Sequence, residues 1–168
     1  GTVALQGVGA TPGTTEPPVN LISSGDIRAI GTRLASNEPS LALPGKFISP
    51  ASIALQAAQI YPATLTDFEL VVGGPEGRIV VTPSGNPAET ITPLSVGGSL
   101  KLTASHIEQA GVLRAPFGEL RLAAEKSLTL TRGSVTSTSS AGLTLPFGRT
   151  EFGTDWLYKL DGNLTRVF

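Results

Sequence analysis

Apolar and polar residues alternate over short stretches of this chain, most clearly between Gly97 and Gly148. Four triplets there have a leucine at each end and a polar residue between: Leu100–Leu102, Leu120–Leu122, Leu128–Leu130 and Leu143–Leu145. In an extended chain, residues two positions apart point to the same side, so each triplet places both leucines on one face of a strand. The pattern therefore predicts short strands with one apolar face each.

The triplets return at a nearly constant spacing. Leu100 and Leu120 are 20 residues apart, and Leu120 and Leu143 are 23 apart. A period of this size is typical of proteins whose repeats stack on one another. Because a three-residue strand buries little surface alone, it gains stability only when the next repeat stacks on it. We predict an all-β fold, a parallel β-helix (solenoid). An antiparallel β-sandwich is the alternative, since its short strands give the same local pattern.

Stacking also predicts which side chains are buried. We expect the apolar residues of the repeats to form one core, namely Leu102, Leu113, Leu120, Leu122, Leu130, Val135 and Leu143. The polar residues between them should point outward, namely Lys101, Glu119, Arg121 and Thr129.

The period is interrupted between residues 61 and 93. Two β-rich stretches, 68–72 and 78–82, are separated by five residues that are mostly Gly and Pro, 73–77. Such a connection is typical of a β-hairpin. We therefore predict a hairpin that projects from the stack, in an excursion at about residues 66–93.

The two ends of the chain differ in composition from the middle. Residues 1–20 are rich in Gly, Thr and Pro, which disfavour helices and central strands, so we expect an extended arm or linker before a β-helix of residues 21–148. Residues 149–168 are rich in aromatics and should form a terminal segment that caps the stack. Trp156 and Tyr158 would share one face of a strand there, and they are also the candidate contact surface for a sugar or a partner protein.

Composition excludes several classes of partner. The chain has 12 Lys and Arg against 13 Asp and Glu, a formal charge of −1, and no basic run, which argues against nucleic acid. It has no Cys, so disulfides and thiolate metal sites are excluded. No apolar run approaches the roughly 20 residues that span a bilayer, so we expect no membrane insertion. Because it starts at Gly1 and contains no Met, we expect a processed form or a fragment.

Candidate catalytic groups are few. Asp67 and Glu69 stand two residues apart, and paired carboxylates are what glycoside hydrolysis requires, but we expect them instead to be solvated charges on the wet side of the hairpin. His106 is the only histidine and follows Ser105, yet a Ser-His-Asp site needs a third group and the motif G-x-S-x-G is absent. One His with scattered carboxylates gives no metal-ligand set. We expect no enzyme activity, catalytic residue, cofactor or metal; a carbohydrate-active β-helix enzyme is the alternative.

One spaced set of residues suggests a family. It reads I-x-x-x-G-x-L-x-A-P-x-G-x-L-x-L-x-A and consists of Ile107, Gly111, Leu113, Ala115, Pro116, Gly118, Leu120, Leu122 and Ala124. This resembles the repeats of the filamentous haemagglutinin family, the long exoproteins of bacterial two-partner secretion. The resemblance covers residues 94–156 and extends more weakly to 25–60. It implies a right-handed parallel β-helix.

The resemblance also implies a function and a location. The chain would be a structural or adhesive segment, part of an adhesin, in a protein that is secreted or held on the bacterial cell surface. Its parent would cross the outer membrane through a two-partner secretion transporter. Its loops would contact host cells, glycans or sister chains, and a self-assembling extracellular filament subunit is a further alternative.

Overall fold

The structure is a computed structural model that describes residues 3–5, 17–31, 43–84, 92–142, 144, 149–151, 155–160 and 163–166. Within these ranges the chain forms fifteen β-strands and no helix, so nothing in the described part is a helix that could cross a membrane. The strands are β1 (Val3–Leu5), β2 (Val19–Ile22), β3 (Ile27–Ala29), β4 (Leu43–Ser49), β5 (Ile53–Ala57), β6 (Ile60–Pro62), β7 (Thr66–Val72), β8 (Arg78–Pro83), β9 (Ser99–Gln109), β10 (Val112–Arg114), β11 (Glu119–Leu130), β12 (Val135–Ser137), β13 (Arg149–Glu151), β14 (Asp155–Leu160) and β15 (Asn163–Arg166).

The strands form three sheets. The first has the order β1-β3-β6-β10-β12, and the second has the order β2-β5-β8-β9-β7-β4 with β11 also paired to β9. Every pair in these two sheets is parallel. The third sheet, β13-β14-β15, is antiparallel. The all-β prediction is therefore confirmed for the described residues, and the antiparallel sandwich is wrong for the first two sheets.

The long strand β9 joins two stacks of shorter strands. Its first half pairs with β7 and its second half with β8, while β11 runs along both halves. The chain passes through β4, β5 and β6, then β7 and β8, then β9 and β10, then β11 and β12. Register partners on successive passes lie between 20 residues apart, as Ser99 and Glu119 do, and 34 apart, as Val19 and Ile53 do. The parallel stacking expected from the leucine spacing is thus present.

The hairpin prediction is wrong. Strand β7 pairs with β4 and β9, strand β8 pairs with β5 and β9, and the two do not pair with each other. The connection from Gly73 to Gly77 instead turns the chain from one stack into the next, with the Gly73 N–H donating to the Ser49 carbonyl at 2.9 Å. A Cβ at position 77 would collide with the Gly73 carbonyl oxygen. Glycine is therefore required at a tight corner, and local composition does not distinguish a corner from a hairpin turn.

The core consists of inward columns of apolar side chains, one from each pass. Ile53, Ile79 and Ile107 are register partners and are all buried. In a second column Phe68 lies between Gly45 and Leu100. A Cβ on Gly45 would lie 2.5 Å from the Phe68 ring, so glycine at this position in β4 makes room for the aromatic side chain.

The burial predictions hold in the middle of the stack and fail at its last layer. Leu102 and Leu113 are buried, Leu120 and Leu122 pack partly buried against the core, and Glu119, Arg121 and Thr129 are exposed as expected. The predictions for Leu130 and Val135 are wrong, since they are 59% and 37% exposed. The reason is that β11 and β12 are the last strands of their sheets, and no described strand covers them. Leu143 lies outside the described residues.

The ends of the chain contribute strands. The expected arm, residues 1–20, contains β1, which pairs with β3, and the start of β2, where Val19 packs against the core; residues 6–16 lie outside the described part. The described part of residues 149–168 forms the antiparallel sheet.

Candidate functional site

One corner of the stack carries a ridge of residues in an unusual backbone conformation. Leu65, Gly97 and Phe117 have φ angles of 53°, 65° and 56°, in the left-handed region that glycine adopts most easily. They lie on successive passes, because the Leu65 N–H donates to the Val96 carbonyl at 3.1 Å and the Gly97 N–H donates to the Pro116 carbonyl at 2.9 Å. We call Leu65, Gly97 and Phe117 the corner ridge.

Phe117 is the prominent member of the corner ridge. Its side chain is 70% exposed, although a bulky residue at positive φ is an outlier that costs on the order of 1 kcal/mol or more. Glycine, which occupies the same position in the preceding pass, would relieve that strain. An exposed aromatic residue kept at a strained position gains nothing for the stack itself, which makes Phe117 a candidate contact residue.

The predicted acidic pair lies on the outward face of β7. Glu69 accepts hydrogen bonds from Lys46 and Lys101, its register partners on either side, at 2.7 Å each. The hydrogen bonds from Lys101 and then Lys46 lower the pKa of Glu69. Asp67 accepts a hydrogen bond from Ser99 on the next pass. These contacts link neighbouring strands and keep Glu69 ionised, which is the opposite of what a general acid requires.

His106 lies in a second cross-strand cluster. Its Nε2 is 3.1 Å from a Glu76 carboxylate oxygen and its Nδ1 is 2.7 Å from the Ser127 hydroxyl. Lys126 donates to the other oxygen of Glu76, and this ion pair, followed by the His106 hydrogen bond, lowers the pKa of Glu76. Ser105 instead donates to the Gly74 carbonyl at 2.9 Å.

The order Ser127, His106, Glu76 resembles that of a hydrolase triad, but the carboxylate differs in its surroundings. A triad acid is buried and holds the imidazole alone, whereas Glu76 is 72% exposed and shared with Lys126. The cluster joins the turn after β7 to β9 and β11, so its evident role is to tie successive passes together. Sequence reasoning missed it because Glu76 and Ser127 are far from His106 in the chain.

A buried polar cluster lies on the first sheet. Tyr61 is buried, and burial first, then the charge of Asp26, raises the pKa of Tyr61 to about 12. Asp26 also accepts a hydrogen bond from the Gln59 side chain at 3.1 Å. Arg28 is the register partner of Tyr61, and the backbone of Leu94 hydrogen-bonds to the phenol. Leu94, in the connection between β8 and β9, therefore contacts Tyr61, which the sequence does not predict.

The predicted contact pair lies on the antiparallel sheet. Trp156 and Tyr158 are in β14, opposite Thr150 and Thr165, but their side chains lie outside the described part of the structure. Among the described residues, no group of three or more His, Asp and Glu is arranged to hold a metal ion. Comparisons with protein-family models, with curated proteins and with solved structures found no match to this chain.

Proposed function

We propose that the chain is a structural segment of a longer secreted bacterial exoprotein, built as a right-handed parallel β-helix. The observation that supports this most is the in-register parallel stacking of strands from successive passes. Such stacking lets a protein extend simply by adding passes, at about 4.8 Å per layer. A segment of this kind supplies length and stiffness, and its outward faces and corners supply contacts.

Several features of the stack would resist mechanical separation of its layers. Hydrogen bonds between strands run along the direction in which the layers are added, the inward columns are apolar, and outward contacts such as Lys46, Glu69 and Lys101 cross from one layer to the next. Separating two layers would break all three kinds of interaction together. Stiffness is therefore a property of the repeat itself, not of one special site.

The resemblance of residues 94–156 to filamentous haemagglutinin repeats supports the rest of the proposal. The parent protein would cross the outer membrane through a two-partner secretion transporter and act at the cell surface as an adhesin. Host-cell surfaces, glycans and sister chains would be its contacts. An antibody raised against this segment should label intact cells of the producing organism or its medium; label found only after permeabilisation would contradict the location.

The last layer favours a second candidate, a subunit that extends by end-to-end addition. Leu128 and Leu130 are exposed, whereas their register partners one pass earlier, Ile107 and Gln109, are buried. The outer edge of β11, to which no described strand pairs, can therefore accept another strand, either from further chain or from another copy. Added strands would have to carry apolar residues at alternate positions.

Catalysis is not part of the proposed function. The carbohydrate-active alternative would need a protonated carboxyl group beside an ionised one, and the Lys46 and Lys101 contacts oppose protonation of Glu69. Incubation with polyuronates and common glycans should give background rates. Turnover that disappears on replacing Asp67 or Glu69 would establish the enzyme instead.

Unfolding under force tests the structural role. The chain, held between two marker domains, should lengthen in several steps, each releasing one pass of roughly 20 to 35 residues at about 3.5 Å per residue. A single cooperative step that releases the whole chain would contradict a segment whose layers resist force one after another.

A further inference from the structure

The corner ridge separates two outward edges of opposite charge. On one side Arg114 ends β10, and on the other Glu119 begins β11. Arg114 is half-buried, after two buried residues of β10, and Glu119 is exposed. Phe117 lies between the two charges in the turn that joins the strands. On earlier passes the same register positions hold Tyr61 and then Arg28 on the Arg114 side, and Ser99 and then Asp67 on the Glu119 side.

Nothing in the described part of the chain neutralises the two charges nearest the ridge. No salt bridge pairs Arg114 or Glu119 with another described residue, and the Nε atom of Arg114 is buried without a hydrogen-bond partner. The ridge itself, Leu65, Gly97 and Phe117, is uncharged. The corner thus offers an exposed ring between a half-buried cation and an exposed anion, neither of which forms a salt bridge with another described residue.

We propose that this corner is a lateral docking surface for a second copy of the chain. A two-fold axis parallel to the direction of stacking would place the Phe117 rings of the two copies against each other. The same rotation places Arg114 of each copy opposite Glu119 of the other, because it exchanges the two sides of the ridge. The interface is isologous, so one patch satisfies both copies.

The charge arrangement favours a second copy over other occupants. A polyanion would be repelled by the acidic edge, and a polycation by the basic edge, whereas the same patch rotated by 180° complements both. The patch is small, and small interfaces bind weakly, so a single segment should dimerise only at high concentration. In a longer stack, many such corners in register would bind together and raise the affinity between two chains.

Sedimentation velocity from low micromolar to millimolar protein tests this proposal. The unaltered chain should show a concentration-dependent monomer–dimer equilibrium that weakens with salt. Phe117→Gly should raise the melting temperature, because strain is relieved, and yet weaken association at least about tenfold. Ile22→Ala, at an exposed apolar residue away from the ridge, is the matched control and should leave association unchanged.

Charge reversals identify the pairing. Glu119→Arg and Arg114→Glu should each weaken self-association by about tenfold or more, since each places like charges face to face twice. Mixing the two substituted proteins should restore association, because both pairs then have opposite charges. Arg121→Glu, the control on the same strand, should have little effect.

Three results would overturn the proposal. The first is a chain that stays monomeric at every concentration. The second is a dimer that Phe117→Gly leaves intact, which would place the contact elsewhere, as at the edge of β11 that no described strand covers. The third is a mixture of the two charge-reversed proteins that associates no better than either alone.

Discussion

Replacing Leu102 by Ala should lower the free energy of unfolding much more than replacing Leu128 by Ala. Leu102 lies between its register partners Leu70 and Leu122 and is 1% exposed. Removing its outer carbons loses about 2.4 kcal/mol of transfer free energy, at about 0.8 kcal/mol per methylene. A cavity between two covered layers adds to this, for a total of about 3 to 4 kcal/mol.

Leu128 occupies the equivalent kind of inward position in β11, in the last layer of these sheets that the structure describes. It is 46% exposed, so its replacement by Ala loses only about half of the transfer free energy given for Leu102. Water fills the space that the leucine side chain leaves, so no empty cavity adds to the loss. We expect a loss of about 1 kcal/mol. Urea unfolding of both variants, followed by circular dichroism, measures the two differences. Equal losses would refute the reasoning, because they would mean that the last layer is covered as fully as the middle of the stack.

Three further perturbations test individual contacts. Gly118→Ala should destabilise the chain by about 3 kcal/mol or more, because its Cβ would collide with the Gly98 backbone and backbone cannot easily yield; a thermal melt like that of the unaltered chain would contradict the stacked turn. Burial raises the pKa of Tyr61 to about 12, so the unfolded chain releases the phenol proton first as the pH rises. Stability should therefore fall by about 3 kcal/mol between pH 10 and 12. Tyr61→Phe should remove that fall in urea titrations, and an identical pH profile would exclude the assignment. Glu69→Gln should cost no more than about 1 kcal/mol, a loss that shrinks in high salt and as the pH falls through the lowered pKa of Glu69; a loss that does not depend on salt would exclude an ionic contact.

The alternation of leucines predicted much of the core because it is a local property. Leu100 and Leu102 are two residues apart on a strand, so their common inward direction follows from the geometry of an extended chain. The spacing of about 20 residues then predicted that strands stack in parallel. The alternation lies within one pass and the spacing lies between passes, and both can be read directly from the sequence.

The hairpin prediction failed because turn residues do not specify a partner. The connection from Gly73 to Gly77 can form either a hairpin turn or a corner. Which of the two forms depends on how much β7 and β8 are stabilised by pairing with β4, β5 and β9. Those strands lie elsewhere in the sequence. The outcome was decided by stacking across passes, which local reasoning does not weigh.

The contact groups on the surface were missed for a related reason. His106 meets Glu76 and Ser127 only because three passes are in register. Phe117 stands out only through its backbone angle and exposure, although the glycine at 97 and the following glycine at 118 are a local sign of a tight corner. The predicted burial also failed at Leu130, since composition does not indicate that β11 is covered by no other described strand.

Engineered cysteine pairs test the parallel stack most directly, because the chain has no cysteine of its own. Val71 and Thr103 are register partners on the outward side of β7 and β9, and adjacent strands are about 4.8 Å apart, within the reach of a disulfide. The pair Val71→Cys and Thr103→Cys should therefore cross-link readily under mild oxidation. The pair Val71→Cys and Ile79→Cys, which a hairpin with the five-residue connection 73–77 would place directly opposite each other, should not, because Val71 and Ile79 pair with Thr103 and Ile107, four residues apart on β9. Efficient cross-linking of the second pair and none of the first would contradict the parallel stack.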